Sequence, residues 1–508
     1  MLVVACVLLA SCIEGNRELS ESELSTFGEY VNALDTSQME KHLTHILRSD
    51  TSHWAADKAV RQLYAGKHIG NDEPLWFSRM GVSSRADSLV SWLRRELPRN
   101  GLDTAAFFIP EIAADLQVVH GLAFDSLGID INELLPRLDY HLSKAYVRYT
   151  AGMRQGFVRP DRLLNNLEMK ANTTNYARLF DYEVKTPDYQ EPLRKLESED
   201  RMAYLAASVS DGDVYRALLA KMEKAASAGE RSKIAVNLER CRWQTNWPPA
   251  NSERMVLVNI PALHLWAVDA DSVLDMRICC GATTNKTPLL HSMISHFQVN
   301  PDWIVPQNIV ESDFMRHAGD SAYFARHRYY IVDRSAGDTL NPAEVTAEEL
   351  KAGRLRVGQK GGAGNSLGRI VFRFANDFGI YLHDTNNHGA FNNERRTLSH
   401  GCIRVQKPFE LACFFLPEAS EWELEQLRIS MDMKPETERG LLYLKEHADD
   451  PRPFRLMAYH DISPRVPLYI VYFTAYPNPS TGVVETWPDL YGYDKAVSRE
   501  MAPFLIKN

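Results

Sequence analysis

Long runs of lysine and arginine are missing from this 508-residue chain, whose formal charge is −9. Without a basic stripe, general nucleic-acid binding is excluded, although a locally basic cleft is not. Cysteine is scarce and unpatterned: Cys6, Cys12, Cys241, Cys279, Cys280, Cys402 and Cys413 are the only seven, and no two share CxxC spacing. That argues against a disulfide framework and a structural zinc module. Cys279 and Cys280 sit side by side in an apolar run and read as core residues. No internal repeat is present, and the apolar start of the chain falls short of the roughly 20 residues that span a bilayer. The Gly-rich run GQKGGAGNSLG (358–368) lacks GxxxxGK[ST] spacing, and no clear strand leads into it, so it does not read as a phosphate cradle.

What is present is ordinary in bulk: 45% apolar and 24% charged residues describe a soluble globular chain, and its length calls for two to four domains. The first twelve residues, MLVVACVLLASC, form a short apolar stretch like the core of a secretory signal. Leu9-Ala10-Ser11-Cys12 resembles a bacterial lipobox, and a polar tether follows. The expectation is a signal or lipoprotein-like segment over 1–20, with lipidation at Cys12. The protein would then be exported, periplasmic and attached to a membrane through that lipid. A buried N-terminal strand is the competing reading. Export would place the chemistry where neither ATP nor nicotinamide cofactors are at hand.

Residues 21–232 read as a mostly helical scaffold. ADSLVSWLRREL and LDYHLSKAYVRYTAGMRQG carry helical spacing, the latter ending at a glycine, and SESELSTFGEYVNAL opens with capping character. From about 250 the pattern becomes short apolar runs separated by Pro, Asp and Gly, which predict strands. RIVFRF (369–374) and FGIYLH (378–383) predict a hairpin. VPLYIVYFTAYPN (466–478) predicts a late strand that completes the β-rich domain. The fold class is therefore α+β and multidomain: a helical scaffold, a β-rich domain over 250–416, and a C-terminal region, 417–508, that completes it. The less regular stretch 305–366 inside the β domain predicts a cap over a site.

Chemistry concentrates in YLHDTNNHGAFNNERRTLSHGCIRV. Acyl transfer by cysteine needs a thiolate, a base and donors for the developing oxyanion. Cys402 alone among the cysteines lies in a polar, Gly-flanked loop. His383 ends a predicted strand, and His400 lies two residues before the cysteine. Gly401 permits close backbone approach, and Arg404 can favour a thiolate or bind an anionic group. A metal site made of His383, His388, His400 and Cys402 competes with this reading, as does a set of plain loop and core residues. Spacing alone leaves hydrolase and transferase undecided.

The pattern His383, fifteen residues, Ser399-His400-Gly401-Cys402, then Ile403 and Arg404, resembles the signature of the L,D-transpeptidases with a YkuD-type catalytic domain. Arg404 resembles the choice of their large YcbB-like branch. VNLERCRW, MVLVNIPALHLWAV, TPLLHSMISHFQVNPDWIVPQNI, NSLGRIVFRFANDFGIYLHDT and VPLYIVYFTAY resemble that branch's flanking segments. The resemblance implies that Cys402 is the nucleophile. It makes His383 the general base and holder of a thiolate–imidazolium pair, oriented by a backbone carbonyl or small polar group that the sequence does not place, with Asp384 as a candidate. The Gly401 and Cys402 N–H groups would form the oxyanion hole, and Ser399, His400 and Arg404 would shape the cleft. Arg404 or Tyr381 would contact the donor stem, Trp303 and Asn365 would line the cleft wall, and 305–366 would be the substrate-capping subdomain. The implied partners are peptidoglycan peptide stems, donor and acceptor, and no metal or organic cofactor is needed. The acceptor stays open: a diaminopimelate amine, a D-amino acid, a protein lysine or water. A wall-binding scaffold with a silent site is the non-enzyme alternative.

Overall fold

The computed structural model describes residues 27–506 apart from 31, 33, 70–71, 79–80, 168–177, 246–252, 271 and 452–453. Cys12 and the expected leader, with most of SESELSTFGEYVNAL, lie outside the described residues.

The first half is helical. Its main helices are α1 (Thr36–Ser49), α2 (Ala55–Ala65), α3 (Ser84–Arg99), α4 (Ile109–His120) and α5 (Ile131–Gln155). Helix α5 is the hub. Asp130 caps it by accepting the Asn132 N–H at 2.8 Å, and it stops at Gly156, whose φ of +80° suits glycine. Leu134, Leu138, Leu142, Ala145 and Tyr149 are spaced by three or four residues and are all buried, so the other helices pack around it.

A sixth helix, α6 (Ala228–Arg242), joins this half to the strands. Glu239 accepts the Phe157 and Val158 N–H groups at 2.7 and 2.9 Å on the helical side. Asn237 meets Thr474 on the other side, donating to its hydroxyl at 2.8 Å and accepting its N–H at 3.0 Å. The polar letters of NLERCRW are therefore a fully buried joint whose partners come from both halves.

The second half is built on β1 (Arg254–Asn259), β2 (His264–Asp269), β3 (Ser272–Gly281), β4 (Leu289–Val299), β5 (Ile370–Phe374), β6 (Leu382–His383), β7 (Thr397–Ser399), β8 (Ile403–Val405) and β9 (Tyr459–Val471). Neighbours run β5-β6-β8-β3-β2-β1-β9-β4, and β4 pairs back onto β5, so eight strands close into a barrel. Strand β7 pairs with the end of β3. Closure removes free edges, and Val258, Leu265, Ile278, Phe297, Phe372 and Leu468 fill the interior. Cys279 and Cys280 are fully buried, as their apolar run predicts. Strand β6 covers only the end of FGIYLH. The Asn376 side chain explains this, because it accepts the Phe378 and Ile380 N–H groups at 3.1 Å each and folds that segment into a turn.

Between β4 and β5 the chain forms a four-stranded sheet from Thr339–Leu340, Tyr329–Asp333, Leu355–Gln359 and Trp303–Ile304. It has its own core around Val310, Phe324, Ile331, Leu350 and Val357. A strand, Leu355–Gln359, does lead into the Gly-rich run, contrary to the sequence expectation. It is short, and its inward row of Leu355 and Val357 ends in the polar Gln359, which hid it.

The C-terminal region serves both halves. Strand β9 completes the barrel, but the chain then returns to the helical half through α7 (Tyr493–Met501). Phe504 accepts the Asp103 N–H at 2.8 Å, and Leu505 bridges to Leu102. Buried Val497, Met501 and Phe504 draw this tail onto the apolar core of the helices.

Candidate active site

Strand β6 sits between β5, antiparallel, and β8, parallel. Phe372, Leu382 and Ile403 lie abreast and are fully buried, so they point into the barrel. Period-two alternation then turns their neighbours to the outer face. One row across that face is Val371, His383, Arg404 and Cys279; the next is Arg373, Tyr381 and Cys402. Cys402 and His383 are thus brought to adjoining positions on neighbouring strands. The Ile403 N–H donates to the Tyr381 carbonyl at 3.1 Å, which extends the register to Cys402.

The loop before Cys402 is held from below. Gly401 has φ +116°, a conformation open to glycine. Ser399 Oγ accepts the Gly401 N–H at 3.1 Å and donates to the Cys402 carbonyl at 2.5 Å. Thr287 Oγ1 donates to the Gly401 carbonyl at 2.8 Å, and the Ala282 N–H donates to the Ser399 carbonyl at 2.9 Å. Ser399 is therefore a buried brace of the turn, and in this state the Gly401 N–H is engaged with it. His400 is exposed on the same turn.

His383 is 4% exposed. Its Nδ1 lies 2.5 Å from the Asp384 carbonyl. A carbonyl can only accept, so Nδ1 carries the hydrogen and Nε2 the lone pair. The Leu367 carbonyl also favours a protonated ring. Burial, with the Arg404 charge beside it, pushes the imidazole down to about 3. The Asp384 carboxylate does something else: it accepts the Arg369 N–H at 2.7 Å, its other oxygen lies 3.4 Å from His388, and burial raises its pKa. A Cβ at Gly368 (φ +63°) would come within 2.4 Å of it, so that turn requires glycine. Asp384 orients the histidine through its backbone.

Half-buried Cys402 is pushed up to about 11 by burial, against the Tyr381 backbone hydrogen bond and the Arg373 and Arg404 charges, all of which favour the thiolate. These shifts favour a neutral thiol beside a neutral imidazole, where the resemblance implies an ion pair.

Asn365 is buried. It donates to the Gln359 and Lys360 carbonyls at 3.3 and 3.1 Å and accepts the Leu367 N–H at 2.7 Å, so it fixes the loop whose carbonyl meets His383. Trp303 pairs with Gln359 at the edge of the inserted sheet and packs on that sheet's core. Tyr381 stands on the outer face with the Arg373 guanidinium 4.4 Å from its ring centre. Among the described residues no three His, Cys, Asp or Glu side chains are grouped to hold a metal ion.

Sequence reasoning missed Arg373, the Leu367 carbonyl and the Thr287 brace. Arg373 was within reach: it is the polar letter of RIVFRF that faces away from Phe372. Backbone carbonyls leave no such mark.

Comparison with known proteins adds two matches along the chain. Residues 253–418 match the L,D-transpeptidase catalytic domain, YkuD, and residues 58–222 match the Scaffold domain. A Haemophilus influenzae protein assigned as an L,D-transpeptidase is 26% identical over 369 residues, covering 70% of this chain and 69% of that protein. Cys402 and His383 both fall inside the first matched region.

Proposed function

The chain belongs to the L,D-transpeptidase family, with a scaffold domain beside its catalytic domain, and from that premise we propose that it is a peptidoglycan transpeptidase that forms 3–3 crosslinks. Cys402 Sγ attacks the carbonyl of the third residue, diaminopimelate, in a tetrapeptide donor stem. His383 Nε2 takes the thiol proton as the C–S bond forms and gives it to the departing D-Ala amine as the C–N bond breaks. An acceptor diaminopimelate amine then attacks the thioester. It loses a proton to His383, and the thiol is released protonated.

The observation that carries this reading is the placing of His383 and Cys402 on adjoining strands, with Nδ1 committed to the Asp384 carbonyl and Nε2 left as the base. Arg404 and Arg373 flank the cysteine and suit the carboxylates of the stem. The Cys402 N–H serves the developing oxyanion, and the Gly401 N–H joins it when the Ser399 hydroxyl turns away. A neutral resting pair fits a site that makes its thiolate only as substrate arrives. The sheet inserted between β4 and β5 serves as the cap over the donor stem, with Trp303 and Asn365 at its hinge. Cys12, outside the described residues, is the proposed lipid anchor of an exported periplasmic protein.

The test is incubation of the full chain with a disaccharide-tetrapeptide and mass analysis of the products. The expected result is a 3–3 crosslinked dimer with D-Ala release, absent in Cys402→Ala. Release of D-Ala with tripeptide as the sole product would reassign the activity to a carboxypeptidase, and no turnover would sink the enzyme reading.

A further inference from the structure

A large cavity lies in the scaffold and shares no residue with the catalytic face. It encloses about 1100 Å³. Stretches distant in sequence form it: the turn 49–55 between α1 and α2, Phe108, one face of α5, the Arg159–Leu167 segment, Tyr189 and the returning C-terminal tail. A cavity this size exceeds the usual span of small-molecule sites, about 300–1,000 Å³, and suits an extended ligand.

Its charge has a definite sign. Lys144, Arg148, Arg159, Arg162 and Arg499 line it, against Asp50 and Glu500. The deeper cations are compensated: Lys144 lies 2.5 Å from Asp50, and Arg148 makes a bidentate pair with Asp57 at 2.7 and 2.6 Å. Arg159 pairs with Asp161 at 2.9 Å. The two exposed cations, Arg162 and Arg499, pair with no carboxylate among the described residues. His141, in the same wall, is driven down to about 4 by burial, and Lys144, Arg137 and Arg148 add to the drop. Its Nδ1 is buried without a hydrogen-bond partner. A net positive cavity in a chain of charge −9 is a specific local arrangement.

Its flat surfaces are the second feature. Trp54, Phe108, Tyr140, Tyr189 and Phe504 line the same space. Phe108 has φ +58°, in the left-handed region that a bulky side chain enters only at a cost. There its ring stacks on His141 at 4.5 Å and lies 5.1 Å from Lys144 Nζ. Backbone strain is thus maintained where an aromatic face meets a buried cation.

We infer that this cavity is a second binding site, distinct from Cys402, for an acidic glycopeptide, with sugar rings on the aromatic walls and carboxylates on Arg162 and Arg499. The choice of a glycopeptide among carboxylate ligands rests on the proposed activity; the anion site does not. Its role is to hold a stem-bearing strand while the catalytic face works on one stem.

The test uses the full chain carrying Cys402→Ala, titrated calorimetrically with a disaccharide-tetrapeptide, with and without Arg162→Glu and Arg499→Glu. Both arginines are exposed, so the charge reversals leave the packed core intact. Two binding events are expected without the reversals. The reversals should weaken one at least tenfold, remove its salt dependence, and abolish ligand protection from hydrogen exchange in 49–55 and 140–148. The sugar-free tetrapeptide and the peptide-free disaccharide should each bind the scaffold at least tenfold more weakly than the conjugate. Unchanged binding after the reversals, or protection absent from both segments, would overturn the site. Equal binding of polyphosphate, or of either fragment alone, would overturn the ligand assignment. Carbapenem acylation of Cys402 in the unaltered chain is followed in parallel: its failure would sink the proposed activity while the scaffold titration stood.

Discussion

Two groups of cations in this molecule, one set between the scaffold helices and one half-buried at the candidate active site, are treated in opposite ways. In the scaffold, Lys144 and Arg148 are tied to Asp50 and Asp57, whose carboxylates also take the Tyr140 and Ser52 hydroxyls. On the catalytic face, Arg373 and Arg404 have no carboxylate partner among the described residues, and Arg404 Nε is buried without a hydrogen bond. The first arrangement ties helices together. The second keeps positive charge beside a thiol and an imidazole, where it favours the thiolate and disfavours the imidazolium. The same side-chain types serve structure where their charge is spent and chemistry where it is not.

The contrast can be broken at either cluster. The largest effect expected is on the catalytic face. His383→Gln removes the base and should lower turnover about a hundred- to ten-thousandfold with the melting temperature nearly unchanged, as steady-state kinetics and calorimetry would show. In the scaffold the order reverses. Asp57→Ala removes a fully buried carboxylate and strands its bidentate partner Arg148, and should cost about 3–5 kcal/mol in denaturant unfolding, while carbapenem acylation of the folded fraction keeps its rate. A destabilised Arg404→Gln beside an unharmed Asp57→Ala would refute the comparison.

Smaller effects sharpen it. Ser399→Ala loses two hydrogen bonds that shape the turn before Cys402, and should cost about 1–3 kcal/mol together with a measurable fall in turnover. Removing a cation from the catalytic face has a defined sign. Arg404→Gln should raise the His383 imidazole from about 3 and the Cys402 thiol from about 11, followed by NMR and by the pH profile of alkylation. The smallest effect is on acid stability. A histidine lowered to about 3 in the folded state stays neutral while the unfolded chain takes up a proton near its ordinary value. It therefore makes stability fall as pH drops from about 6.5 toward 3. His383→Gln should flatten that slope in unfolding measured across this range.

Much of the site was legible in the letters. A cysteine in a Gly-flanked loop and a histidine at a strand end mark themselves by residue type. Alternation in RIVFRF and FGIYLH indicates which side chains leave the core. The parallel pairing of β6 with β8 was not legible, because it brings together segments twenty residues apart through backbone contacts that no side chain encodes. The group orienting His383 escaped for the same reason: it is a main-chain carbonyl, while the neighbouring carboxylate that looked suited to the task braces Gly368 and Arg369. The scaffold cavity draws its walls from residues near 50, 140, 160 and 500, and depends on a C-terminal tail whose attachment to the helices only the fold reveals.

The most direct test of the central claim is the site of covalent attachment. The full chain, treated with a carbapenem, digested and mapped by mass spectrometry, should carry one acyl group on the peptide containing Cys402. The adduct should be lost in Cys402→Ala and formed at least about a hundredfold more slowly in His383→Gln. An acyl group on any other residue, or an unmodified Cys402 in folded protein, would contradict the account.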